Sequence, residues 1–89
     1  VARRVLGENH ELALKMRLIY AVALYRDDGA TLDDLREAVT TLEEIERTAR
    51  RVLGGAHPTT AQIDLNLRES RAALSVRAVR GALEAMNAT

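Results

Sequence analysis

The sequence predicts an all-α protein assembled from antiparallel helix hairpins, and three observations carry that prediction. First, 47% of the 89 residues are hydrophobic but only 2% are aromatic, so Ala, Leu, Val and Ile must build the core. With a single Pro and five Gly, that vocabulary favours helices over a sheet. Second, apolar residues recur at steps of three and four rather than alternating. Third, the apolar segments are bounded by residues that start and stop helices. A chain of this length holds one core.

The clearest element is the second helix, expected over Thr31 to Leu53. Leu32, Leu35, Val39, Leu42, Ile45, Ala49 and Val52 form one stripe. Thr31 with Asp34 three residues on makes a capping box in which Asp replaces Glu. The acids of the segment (Asp33, Asp34, Glu37, Glu43, Glu44 and Glu46) precede Arg47, Arg50 and Arg51, an order that suits the helix dipole. Gly54-Gly55 supplies the stop. A first helix is expected from Asn9, its N-cap, to Asp27. It is apolar nearly all round, with Leu18 to Tyr25 uninterrupted, which predicts a central helix packed on several sides. Asp27-Asp28-Gly29-Ala30 reads as the turn between the two. A third helix is expected over residues 58–86, opened by His57-Pro58 with Pro in the first turn. Ile63, Leu67 and Leu74 mark one face of it, and Leu65, Ala72, Val76, Val79, Leu83 and Met86 mark another. Gly81 predicts fraying beyond about residue 80, and Ser75 marks a place to break.

An internal repeat ties these elements together. Ala2-Arg3-Arg4-Val5-Leu6-Gly7 recurs as Ala49-Arg50-Arg51-Val52-Leu53-Gly54, and His10 recurs as His57, all at an offset of 47 residues. Residues 1–7 therefore read as the last turns of a preceding helix.

The totals exclude several functions. Thirteen basic residues cancel thirteen acidic ones, so no global field draws nucleic acid or an anionic membrane. There is no Cys for disulfides, thiolate chemistry or Cys-ligated zinc. No apolar run approaches the roughly 20 residues that span a bilayer. The first residue is Val1 rather than Met, from which a processed chain or a piece of a longer array is expected. The compartment stays open between cytoplasm and organelle.

The junction Val52-Leu53-Gly54-x-x-His57-Pro58 resembles the kinesin light chain type of tetratricopeptide repeat. The first junction, Val5 to His10, is similar except that Glu11 stands where Pro58 stands. Leu18, Ala21, Val22, Tyr25 and Gly29 fall where that repeat carries its packing residues and its turn. The resemblance covers roughly residues 1–74, and the period of 47 exceeds the 34 of the standard repeat. It implies a short α-solenoid, a TPR-like stack of helix hairpins whose terminal helix caps the array, and a role in binding proteins or peptides. The third helix has Asp64, Arg68, Arg71 and Arg77 for a polar outer face, but its stripe Val76 to Met86 is apolar and is expected to meet a partner chain or a second copy.

Candidate sites divide by chemistry. His10 and His57 invite a metal reading, but no third ligand accompanies them, and ordering a helix start is the preferred role. Asp27, Asp28, Asp33 and Asp34 fail the spacing of a calcium loop and suit turn and helix-start roles. Arg3, Arg4, Arg47, Arg50 and Arg51 could form a basic patch. Pairing with acids four residues earlier, Arg47 with Glu43 and Arg50 with Glu46, is preferred. No nucleophile–base pair or phosphate loop is present, so neither catalysis nor a cofactor is expected. The expected partner-binding residues are Lys15, Arg17 and Tyr20 on the first helix, with Val76, Val79, Leu83 and Met86 on the third. Tyr25 suits a groove or the core equally. The leading role is a protein–protein interaction scaffold. The alternatives are a permanent structural subunit of a larger complex and a helical-repeat RNA binder, the latter disfavoured by net neutrality.

Overall fold

The computed structural model describes residues 2–88, with side chains described from Glu11 onward. Three helices follow one another: α1 (Ala2–Arg26), α2 (Leu32–Val52) and α3 (Pro58–Asn87). They run up, down and up, with α2 in the middle against both neighbours and only a minor contact between α1 and α3. The all-α class is as expected.

Local chemistry explains both connections. In the first, the Asp27 carboxylate accepts from the Gly29 N–H at 3.0 Å, and the Ala30 N–H donates to the Asp27 carbonyl at 3.0 Å. The capping box then forms in full: the Asp34 N–H donates to Thr31 Oγ1 at 3.1 Å, and the Thr31 N–H donates to Asp34 Oδ2 at 3.0 Å. In the second connection Gly54 takes φ +91°, a conformation that side chains other than glycine's resist. His57 caps α3 by accepting the Thr59 N–H on Nδ1 at 3.1 Å, and Pro58 occupies the first turn.

The first junction differs from its expected form. The sequence places a helix end at Gly7 and a new N-cap at Asn9, whereas α1 runs unbroken from Ala2. The two junctions are not chemically equal. A lone Gly7 costs a helix only about 1 kcal/mol relative to Ala. Glu8 stands where the second Gly of the other junction stands, and Glu11 where Pro58 stands, so nothing removes a backbone donor. The third helix also differs from expectation: it passes through Ser75 and Gly81 without a break.

The core is a seam along α2. Leu35, Ala38, Leu42, Ile45 and Ala49 are buried on it, between Leu14, Leu18, Ala21 and Tyr25 of α1 and Ile63 and Leu67 of α3. Ala38 joins the stripe that the spacing predicts, and Val52 leaves it for solvent. The central position therefore belongs to α2, not to α1. Among the described residues, the nearly all-apolar surface of α1 is covered chiefly by α2, and Leu12, Met16 and Ile19 on its other side are exposed.

The molecule is elongated. Its radius of gyration is 16.0 Å, against about 12 Å for a compact chain of this length, and it extends over 63 × 22 × 15 Å. The length arises because α1 and α3 are offset. Glu11 is level with Thr59 at the start of α3, so residues 2–10 project past the α2–α3 connection. At the other end α3 runs on beyond Ala73, and every residue from 75 to 88 is exposed.

Truncating a seam residue should be far costlier than truncating the open side of α1. Ile45→Ala is expected to lose about 3 kcal/mol of unfolding free energy, against about 0.5 kcal/mol or less for Met16→Ala, both read from urea unfolding followed by circular dichroism. Equal losses would contradict the seam.

Candidate functional site

The two sets of expected partner-binding residues sit on different parts of the molecule. Lys15, Arg17 and Tyr20 are exposed on α1, but all three are engaged within the chain, two of them with α2. Arg17 reaches Glu44 of α2 at 2.9 Å. The Tyr20 hydroxyl donates to the Glu37 carboxylate, also on α2. That hydrogen bond, and the cost of placing a phenolate beside a carboxylate, raise the Tyr20 pKa above the ordinary tyrosine value. Lys15 pairs with Glu11 at 3.3 Å, one turn earlier. Arg17 and Tyr20 thus fasten α1 to α2 along the edge of their contact. Tyr25 is a core residue. Its hydroxyl donates to Glu69 at 3.1 Å and accepts from Asn66 at 2.9 Å, and Asn66 in turn takes a hydrogen bond from Gln62 at 2.8 Å.

The apolar side chains left open on α1 are others: Leu12, Met16 and Ile19. The 47-residue offset explains where they lie. Carried past His57 into the helices, it equates α1 residues 12, 13, 16, 19, 20 and 23 with α3 residues 59, 60, 63, 66, 67 and 70. The second set is buried, Thr59 and Asn66 with hydrogen bonds to α1, whereas the first is exposed throughout. Met16 is 62% exposed where Ile63 is 0%, and Ile19 is 68% exposed where Asn66 is 2%. The reverse also holds. Leu14, Leu18, Ala21 and Tyr25 are buried on α1, and their equivalents Ala61, Leu65, Arg68 and Ala72 are exposed on α3. Leu18 is 9% exposed and Leu65 is 53%. Each helix therefore has two comparable sides, and α2 covers the opposite one on each. The sequence reading missed Leu12, Met16 and Ile19 as surface residues. Their signal was the repeat itself, had its register been carried into the helices.

On α3 the open side continues beyond the hairpin. Val76, Val79, Leu83 and Met86 are all exposed, at steps of three, four and three. A shallow groove of about 410 Å³ follows Val76, Val79 and Leu83 with Arg80 at its edge. A second, of about 340 Å³, lies at the base of the overhang and is lined by Arg77 and Arg80 together with Asp27 and Asp28 of the first turn.

The polar candidates take structural roles. His57 caps α3, the role preferred for it, with Nε2 3.9 Å from Glu11. The side chains of His10, Arg3 and Arg4 lie outside the described residues. Among the described residues no three His, Asp or Glu side chains converge as a metal site would require. Asp27 closes its turn, Asp34 completes the capping box, and Asp33 pairs with Arg36 at 3.7 Å. Arg50 pairs with Glu46 as its spacing predicts, which raises its pKa. Glu43, expected to pair with Arg47, instead takes Arg71 of α3 at 2.9 Å, because α2 turns that carboxylate toward its neighbour. Glu11 accepts from Thr59 at 3.1 Å and joins the start of α3 to α1.

The hydrogen bond from Thr59 and then the Lys15 ammonium hold the Glu11 carboxyl below the ordinary glutamate range. A depressed carboxyl adds stability that is complete above the ordinary pKa and is lost as the pH falls through the folded one. Melting temperature should therefore fall on acidification through and below the ordinary glutamate range, with a shallower fall for Glu11→Gln. Coincident acid limbs for the two proteins would remove Glu11 from that role.

Compared with protein-family models, with curated proteins and with solved structures, the chain finds no match in any of the three.

Proposed function

We propose that this chain is a helical-repeat interaction module of tetratricopeptide type, similar to the kinesin light chain repeat, that acts as a scaffold by docking helices on the outer sides of α1 and α3 and carries out no catalysis. The observation that supports this reading best is the inversion of exposure at positions 47 residues apart. A helix of the α1 and α3 class has one side shaped for a helix before it and one for a helix after it. α2 serves as the following helix for α1 and as the preceding helix for α3. The open side of α1, with Leu12, Met16 and Ile19, is then a seat for a helix with the Leu, Ile and Ala spacing of α2. Such docking buries an amphipathic face in a preformed apolar surface, a recurrent mode of peptide recognition.

A second reading, a permanent subunit of a larger assembly, draws on the same surfaces. Its support is the overhang of α3, where Val76, Val79, Leu83 and Met86 are exposed together. An RNA-binding role has less support, since Arg17, Arg50, Arg68 and Arg71 are each paired with an acid within the chain.

A synthetic peptide with the sequence of residues 31–53 is the direct probe. Titrated into the isotopically labelled protein, it should shift the NMR resonances of Leu12, Met16 and Ile19, with a dissociation constant of about 10–100 μM, because a free peptide of this length must first order. Met16→Glu with Ile19→Glu should abolish those shifts. No perturbation of this face at millimolar peptide would refute the docking reading.

A further inference from the structure

We infer that the overhang of α3 is a self-association site, in which the overhangs of two copies of this chain pair antiparallel through Val76, Val79, Leu83 and Met86. The inference rests on the reading of the outer side of α3 as a protein-docking surface and names its occupant.

Three features of the overhang point to a second copy. The first is the spacing. Steps of three, four and three are those of a two-helix seam, narrower than the stripe of a helix lying on a globular core. Every residue from 75 to 88 is exposed, so among the described residues this seam is left open to solvent. The second is size. Laid antiparallel, the seam is self-complementary when Val76 faces Met86 and Val79 faces Leu83. Each layer then sets a small β-branched side chain against a longer one, and a two-fold axis generates all four layers from two kinds of contact.

The third is charge. That same register carries Glu84 of one copy level with residue 78 of the other, between its Arg77 and Arg80. The two-fold axis repeats the arrangement, so each carboxylate meets two guanidinium groups across the seam. Shifting the pairing toward the hairpin by one heptad would instead place Glu84 level with Arg71, whose guanidinium already holds Glu43 at 2.9 Å. Charge thus selects the register that the side-chain sizes select. Four layers make a short interface, below the standard area of stable complexes, so the dimer should dissociate at about 10–100 μM.

Sedimentation velocity of the 89-residue protein over a concentration series spanning that range is the test. The wild type should pass from monomer to dimer. The double variant Val79→Glu, Leu83→Glu should remain monomeric at every concentration, with helicity and melting temperature near those of the wild type because both side chains are exposed. Arg80→Glu and Glu84→Arg should each weaken association about five- to tenfold. Combining them, which interchanges the charges, should restore it to within about twofold. A wild type that stays monomeric throughout overturns the inference, and it leaves the peptide-docking face of α1 untouched. A dimer that survives Val79→Glu, Leu83→Glu but is lost with Met16→Glu places the contact on α1 and overturns it too. A dimer that the charge interchange fails to restore overturns the antiparallel register and the inference with it.

Discussion

Everything in this molecule depends on the seam of α2. Ala38, Leu42, Ile45 and Ala49 are completely buried there, between α1 on one flank and α3 on the other. The two alanines matter as much as the large residues. They let α1 and α3 approach closely, while Leu42 and Ile45 fill the space between. Because α1 and α3 touch each other far less than either touches α2, the seam is the main link between them. The cross-helix polar contacts, Arg17 with Glu44 and Arg71 with Glu43, run along its two edges. As exposed ion pairs each contributes little stability, about 0–1 kcal/mol, and they serve chiefly to set register.

The polar contacts between α1 and α3 sit at the two ends of their shared length. Glu11 meets Thr59 near one connection, and Tyr25 meets Asn66 and Glu69 near the other. Asn66 and Tyr25 are both buried, so their hydrogen bond offsets a desolvation cost that either group alone would carry in full. Arg26 adds a contact with Glu69 at 3.5 Å and lies over the Tyr25 ring at 5.7 Å from its centroid.

Much of the fold was legible because it is local. The capping box at Thr31, the stop at Gly54 and the start at Pro58 each depend on a few adjacent residues, and each forms as its chemistry dictates. The helix boundary at Gly7 was misread for the same reason: likeness to Gly54 suggested a stop, but a stop needs its second glycine and its proline. The rank of α1 as central helix was misread because apolar composition reports how much surface a helix can bury, not what is present to bury it. The buried polar face of α3, with Thr59, Thr60, Asn66 and Ser70, was invisible to a search for apolar periodicity. Of the candidate site, the exposed stripe from Val76 to Met86 was legible from spacing alone. The engagement of Arg17 and Tyr20 with α2 was not, since it required knowing which acids on α2 would face them.

That polar face sharpens the meaning of the open side of α1. At equivalent positions α3 buries Thr59, Thr60, Ile63, Asn66, Leu67 and Ser70, while α1 exposes Leu12, Ala13, Met16, Ile19, Tyr20 and Ala23. The set facing water is the more apolar of the two, the reverse of what solvent alone would favour. The Thr, Asn and Ser of its counterpart show that polar side chains fit these positions even where they are buried. Covering Leu, Met and Ile there would gain about 25 cal/mol for each Å² of apolar surface removed from water. The asymmetry within one repeat thus argues for an occupant of α1 more directly than exposure does, because the same chain supplies the comparison.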